Sequence, residues 1–231
     1  MQRRHFLAHT ALSLSVLAAM RQAHALTLAD LSQKDASAGV KAALEKGALA
    51  AVSLLGRPDG FLGNPKVRIP LPGHLEKAAD FLRMAGQGQK VDELVTTMNR
   101  AAETAVPMGK DLLVGAVKSM TVDDAKKILA GGDNAVTTFF ADKTRVPLGQ
   151  KFLPVVTDAT RKVNLAKAYN RVAGKLASAG VVDGQQASIE SYVTGKTLDG
   201  LYTLIGEEER KIRQDPVGTG SAILKKVFGA L

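Results

Sequence analysis

The strongest constraint on the fold is one stretch that cannot be helical. Gly56 to Pro72 reads GRPDGFLGNPKVRIPLP and holds Pro58, Pro65, Pro70 and Pro72, half of the eight prolines in the chain. Gly56, Gly60 and Gly63 punctuate it, and Gly73 follows. Proline inside a helix removes a backbone hydrogen bond and clashes with the preceding turn, while glycine admits turns closed to other residues. Irregular loops this long are uncommon and are usually functional or disordered. Phe61, Leu62, Val67, Ile69 and Leu71 supply too many apolar anchors for disorder. An ordered loop is expected, and Pro70 and Pro72 confine the strand-like Val67–Leu71 to an edge or an isolated extended piece.

Around this loop, apolar residues recur at helical spacing. Val40, Leu44, Ala48, Val52 and Leu55 mark one helix, which Gly56 stops. Leu75, Ala78, Ala79 and Leu82 mark a shorter one closed by Gly86, and Val91 to Ala105 a longer one. Pro107 sits where the next helix starts, and Thr121 with Asp124 forms a capping-box variant before a segment ended by Gly131-Gly132. In the second half, Asp133 or Asn134 caps a helix through Phe139 and Phe140. Pro147 opens another, in which Pro154 predicts a kink or break. Leu165, Tyr169, Val172 and Leu176 lead to a stop at Gly180. A short turn is expected near Ile189, then a charged helix from about Gly195 to Gln214. Ile223, Leu224, Val227 and Phe228 suggest a final docking helix. The expected fold is all-α, a multi-helix bundle with one long ordered Pro/Gly-rich loop.

The N-terminus reads as an export signal. Arg3 and Arg4 precede an apolar run from Ala8 to Met20, and Ala23-His24-Ala25 is an A-x-A cleavage site. Arg3-Arg4-His5-Phe6-Leu7 resembles the twin-arginine motif, with Gln2 and Ala8 departing from it, and an ordinary secretory signal is the alternative. Residues 1–25 are thus expected to be removed, leaving 26–231 as a single helical domain in the periplasm, not transmembrane when mature. Cysteine is absent, which excludes disulfides, thiolate metal sites and cysteine nucleophiles. Of the four histidines only His74 lies beyond the signal, so a Ser-His-Asp triad has a single candidate and a zinc site of the usual N/S type has too few ligands. His74 follows Pro72-Gly73 at a helix start, where a polar residue serves the exposed backbone N–H groups.

Four motifs then come into view in order: GRPDGFLGNP, MNRAAE from Met98, KAYN from Lys167 and EEERKIR from Glu207. On these the chain resembles a bacterial family of exported helical proteins, domain of unknown function 4197 (DUF4197), across essentially all of 26–231. The resemblance implies an exported, mainly helical protein. It implies no activity, cofactor or catalytic residue.

No catalytic set, metal site or cofactor is assigned from the residues themselves. Gly195-Lys196-Thr197 is not a P-loop, because Glu190 stands where that motif needs glycine. An oxygen-only cation site at Asp59 and Asn64 lacks the spacing of known loops. Two polar groupings remain. Arg57, Asp59, Asn64 and Arg68 could rim a cleft suited to an anionic ligand, or could simply pin the loop. Glu208 falls in the middle of the apolar stripe of Leu201, Leu204, Ile205 and Ile212, where burial demands a cation or a raised pKa. Its neighbours Glu207 and Glu209 fall to either side, each with a basic residue four positions on.

Charge is the sharper signal. Residues 143–175 carry Lys143, Arg145, Lys151, Arg161, Lys162, Lys167, Arg171 and Lys175 against Asp158 alone, whereas 26–142 are balanced. Lys167, Arg171 and Lys175 make an i, i+4, i+8 ridge opposite Tyr169, Val172 and Leu176. Such a ridge suits an anionic ligand, an envelope polymer or a membrane surface, unless Glu207–Glu209 neutralise it. Nucleic acid is a poor partner for an exported chain with three tyrosines and no tryptophan. The best reading is a non-enzymatic periplasmic binding protein of unspecified oligomeric state. The alternatives are a hydrolase or lyase using Glu208 or Asp59, or a purely structural envelope component.

Overall fold

A computed structural model describes residues 33–132, 135–180 and 184–215. The export signal, the Asp133/Asn134 cap and the Ile223–Phe228 helix expected from sequence lie outside these residues. Among the described residues the regular structure is helical, with no strand. The helices are α1 (Gln33–Leu55), α2 (Gly73–Met84), α3 (Gly88–Ala105), α4 (Lys110–Lys118), α5 (Val122–Ala130), α6 (Ala135–Thr160), α7 (Asn164–Ser178) and α8 (Ile189–Gln214). Short 3-10 turns at Val106–Gly109 and Gly184–Gln186 lead into α4 and α8.

Most stops fall where local chemistry put them. Gly86 and Gly180 follow α2 and α7 with φ of 75° and 72°, the left-handed conformation that ends helices at glycine. Thr121 accepts from the Asp124 amide while the Asp124 carboxylate accepts from the Thr121 amide, a complete capping box on α5. The bond to that amide, followed by the one to the hydroxyl, holds the Asp124 carboxyl below its ordinary pKa. The N-terminus of α8 lies six residues before the expected one. Ser188 is the cap, its hydroxyl accepting from the Ser191 amide, so the predicted turn near Ile189 is the first turn of the helix.

Helix α8 is the axis of the bundle. At 3.6 residues per turn, its buried positions from Ile189 to Ile212 cover an arc of about 260°. Three neighbours fill that arc. The loop packs at Gly200, where an added Cβ would lie 2.9 Å from the Phe61 ring and 3.2 Å from Val67 Cβ. Helix α1 crosses at Gly47, beside Ile205, Glu208 and Glu209. Helix α6 approaches through Thr137 beside Gly206, and Thr144 hydrogen bonds the buried Tyr202 hydroxyl at 3.0 Å.

Helix α6 departs from expectation, because neither Pro147 nor Pro154 breaks it. Apart from Phe139, its buried positions Val136, Phe140, Thr144, Leu148, Phe152, Val156 and Thr160 recur every four residues. That spacing advances the contact face by about 40° per step, so the helix meets different neighbours along its length. An interior proline costs about 3 kcal/mol. Burying Leu148, Phe152 and Val156 gains about 1.5–3 kcal/mol each, comparable to the cost of the two prolines together. Lys143 and Gln150, whose carbonyls lose their donors to the prolines, are both exposed to water.

Candidate functional site

The Gly56–Pro72 loop is ordered and pinned by three side chains of α3. Glu103, 5 % exposed, accepts hydrogen bonds from the Phe61 and Leu62 amides, each at 3.0 Å through Oε1. Its other oxygen accepts from Arg100 at 2.7 Å, and Arg100 reaches on to Asp59 at 2.8 Å. The Glu103 and Asp59 carboxylates push the Arg100 pKa further above its already high value. Asn99 treats Ile69 as a strand neighbour would: Oδ1 accepts from its amide at 2.8 Å and Nδ2 donates to its carbonyl at 2.9 Å. The extended segment thus keeps its backbone satisfied with no strand beside it. From α8, Tyr192 donates to the Pro70 carbonyl at 3.1 Å, and Glu207 pairs with Lys66 at 2.9 Å. Burial, with Glu76 second and Tyr169 third, pushes the Tyr192 phenol up to about 12.

The loop residues expected to rim a cleft are not brought together. Asp59 sits at φ 64° and is occupied by Arg100. Asn64 Oδ1 accepts from the Lys66 amide at 3.2 Å, closing a turn of its own backbone. Arg57 and Arg68 are exposed, outside any shared pocket with these two. His74 hydrogen bonds the Gln186 side chain, a tie between the start of α2 and the turn before α8.

Glu208 is less enclosed than its place on the helix implies. Its side chain is 15 % exposed and pairs with Lys211 at the edge of a shallow cleft formed with Lys46, Gly47, Ala50 and Ile212. That cleft does not reach the loop. Glu209, expected on an exposed flank, is the more buried carboxylate, and Arg213 satisfies it at 2.6 Å. The reason is the width of the α8 arc, because a helix with neighbours on three sides buries its flanks as well as its stripe. A cleft of about 710 Å³ between α5 and α6 balances Asp124 and Asp142 against Lys127 and Lys143. Asp124 there serves the α5 cap. Among the described residues no group of three or more His, Asp or Glu side chains could hold a metal ion.

Helix α7 presents the opposite situation. Only Ala166, Tyr169 and Ala173 are buried on it, and it is fastened near its middle. Asn170 accepts from the Ile189 amide and donates to Glu190, which also accepts from Thr160. Tyr169 donates to the Gln186 carbonyl at 2.9 Å. Lys167, Arg171 and Lys175 are all exposed, and among the described residues none of them forms an ion pair. Glu207, Glu208 and Glu209 are paired with Lys66, Lys211 and Arg213 and leave the ridge unneutralised. Elsewhere in the basic segment, Arg145 pairs with Asp199 and Arg161 with Asp158.

Beside the ridge lies an apolar groove of about 280 Å³ between α2 and α7. His74, Leu75 and Ala78 line one wall, and Leu165, Ala168, Val172 and Leu176 the other. Val172, expected on the inner face, is 59 % exposed, because α7 buries its alanine side and tips the larger residues toward the groove. The residues that hold the loop, Asn99 and Glu103, were not singled out from sequence. A signal existed: both continue the i, i+4 line of Val91 and Val95 along the edge of an apolar stripe.

The four motifs of the resemblance thus fall on joints of the fold. Residues 30–229 match the family model described as "Protein of unknown function (DUF4197)". No curated protein and no solved structure matches the chain.

Proposed function

The chain belongs to the DUF4197 family, and on that premise we propose that it is an exported, non-enzymatic binding protein of the periplasm that presents α7 to an anionic partner. The observation that carries this reading is the line of Lys167, Arg171 and Lys175 along one face of α7, exposed and, among the described residues, without ion pairs. Unengaged cations retain their full attraction for an anion, whereas paired ones must first lose a partner. The twin-arginine-like start and the A-x-A site support delivery to the periplasm. The absence of a helix long and apolar enough to cross a membrane, among the described residues, is consistent with a partner met at a surface.

The test is binding of the processed chain to soluble polyphosphate and to anionic vesicles, compared with Lys167→Glu combined with Arg171→Glu. Each cation near an anionic surface contributes about 1 kcal/mol. Losing two therefore weakens binding by about thirtyfold, and reversing them by more. Undiminished binding by the double variant, or no binding by the parent to either probe, overturns the reading.

A further inference from the structure

The groove beside the ridge says what kind of anion fits, an inference that rests on the reading of α7 as the binding face. The two helices that border it carry three exposed large apolar residues, Phe81 at 67 %, Met84 at 80 % and Val172 at 59 %, while Met108, Val122, Val146 and Leu153 are exposed on other elements. Isolated exposed apolar residues need no explanation, but a cluster of them around a concave apolar strip does. Apart from His74 and Tyr169, both already bonded to Gln186, the groove walls are apolar, so a sugar or a phosphate alone would find few hydrogen-bonding partners in it.

The cations are placed around this strip in a repeated way. On α7, Ala168 is the outermost residue of the groove wall, and from Val172 beside it Lys175 lies about 60° toward solvent and Arg171 about 100°. On α2, Ala78 forms the lip, Phe81 lies about 60° further out and Lys77 about 100°. The acids of α2, Glu76 and Asp80, fall on the flank away from the groove, and Asp80 is paired with Arg83. The result is an apolar centre with positive charge outside it on both helices. Long basic side chains in that position lay their stems on hydrocarbon and their heads among anions.

We propose that α2 and α7 together form an interfacial docking face for anionic lipid, with Phe81, Val172 and the groove between them taking hydrocarbon while Lys77, Arg171 and Lys175 take the phosphate headgroups. A single amphipathic patch of this size gives reversible attachment, and it needs both hydrocarbon and charge.

The chain contains no tryptophan, so one introduced at Val172 reports on this face alone. Val172→Trp in the processed full chain is titrated with vesicles of equal phosphatidylglycerol and phosphatidylcholine, with phosphatidylcholine alone, and with soluble polyphosphate. The expected result is a blue-shifted emission, quenched by acyl-brominated lipid, with the anionic vesicles only. In parallel, Phe81→Ser with Val172→Ser weakens binding to the anionic vesicles at least fivefold and leaves polyphosphate binding within a factor of two. Binding to anionic vesicles without blue shift or quenching, or equal loss for both probes in the serine variant, overturns the lipid assignment while α7 remains an anion-binding face. Binding to polyphosphate but not to the vesicles does the same. Binding to neither probe removes both the lipid assignment and the function it rests on.

Discussion

The loop and helix α7 both looked like sites in sequence, and the structure treats most of their polar residues in opposite ways, Arg57 and Arg68 of the loop being exposed as the α7 cations are. In the loop, Asp59 is held by Arg100, Asn64 by its own backbone and Lys66 by Glu207, while Glu103 and Asn99 arrive from α3 to satisfy buried amides. On α7, three cations stand in water with no ion pair among the described residues, beside an apolar groove. A polar residue in an irregular segment is often there because the backbone needs it: the loop gives up helical hydrogen bonds, and each buried donor must find another acceptor. A helix has already satisfied its own backbone, so unpaired charge on its surface is free to meet something else. The contrast separates packing chemistry from binding chemistry within one chain.

The comparison breaks most visibly at Glu103. Glu103→Ala strands the Phe61 and Leu62 amides and is expected to cost about 3 kcal/mol in denaturant unfolding, while the folded fraction binds anionic vesicles as before. A loss below about 1 kcal/mol would mean that water replaces the carboxylate and that the loop is not pinned as described. Next in size is Gly200→Ala. Its Cβ would push on the Phe61 ring and Val67, both buried, and a cost of about 1–3 kcal/mol is expected from the melting temperature.

Tyr192→Phe sharpens the comparison through pH. The phenol is raised to about 12 from 10.0, so its neutral form is favoured in the folded state. Its contribution is full below about pH 10 and is lost as pH rises toward about 12. The variant should lose about 1 kcal/mol at neutral pH and show a shallower alkaline decline, the remainder owing to Tyr202, which burial also raises. An unchanged alkaline profile would sink the assignment. The smallest effect is expected where binding is proposed: Lys167→Glu with Arg171→Glu should change stability by no more than about 0.5 kcal/mol. A larger loss would mean the ridge is structural after all.

Much of the fold was legible from local chemistry. Glycine stops, the Thr121–Asp124 box and the i, i+4 stripes placed most helices of the first half, because each depends on residues within one or two turns. Two misreadings share a cause. The continuity of α6 through Pro147 and Pro154 depends on what Leu148, Phe152 and Val156 pack against, and the burial of Glu209 in preference to Glu208 depends on how many neighbours α8 has. Neither is a property of the segment itself.

By itself, the sequence determined an all-helical chain interrupted by one ordered loop, and it located the excess positive charge between residues 143 and 175. Helical phase and charge are read along the chain, so no partner need be known. Only the tertiary structure decided which polar groups are engaged. Glu103 meets Phe61 from 42 residues away and Glu207 meets Lys66 from 141, separations across which no local pattern carries information. That long-range pairing turned the loop into a joint and left the α7 ridge without an ion pair among the described residues.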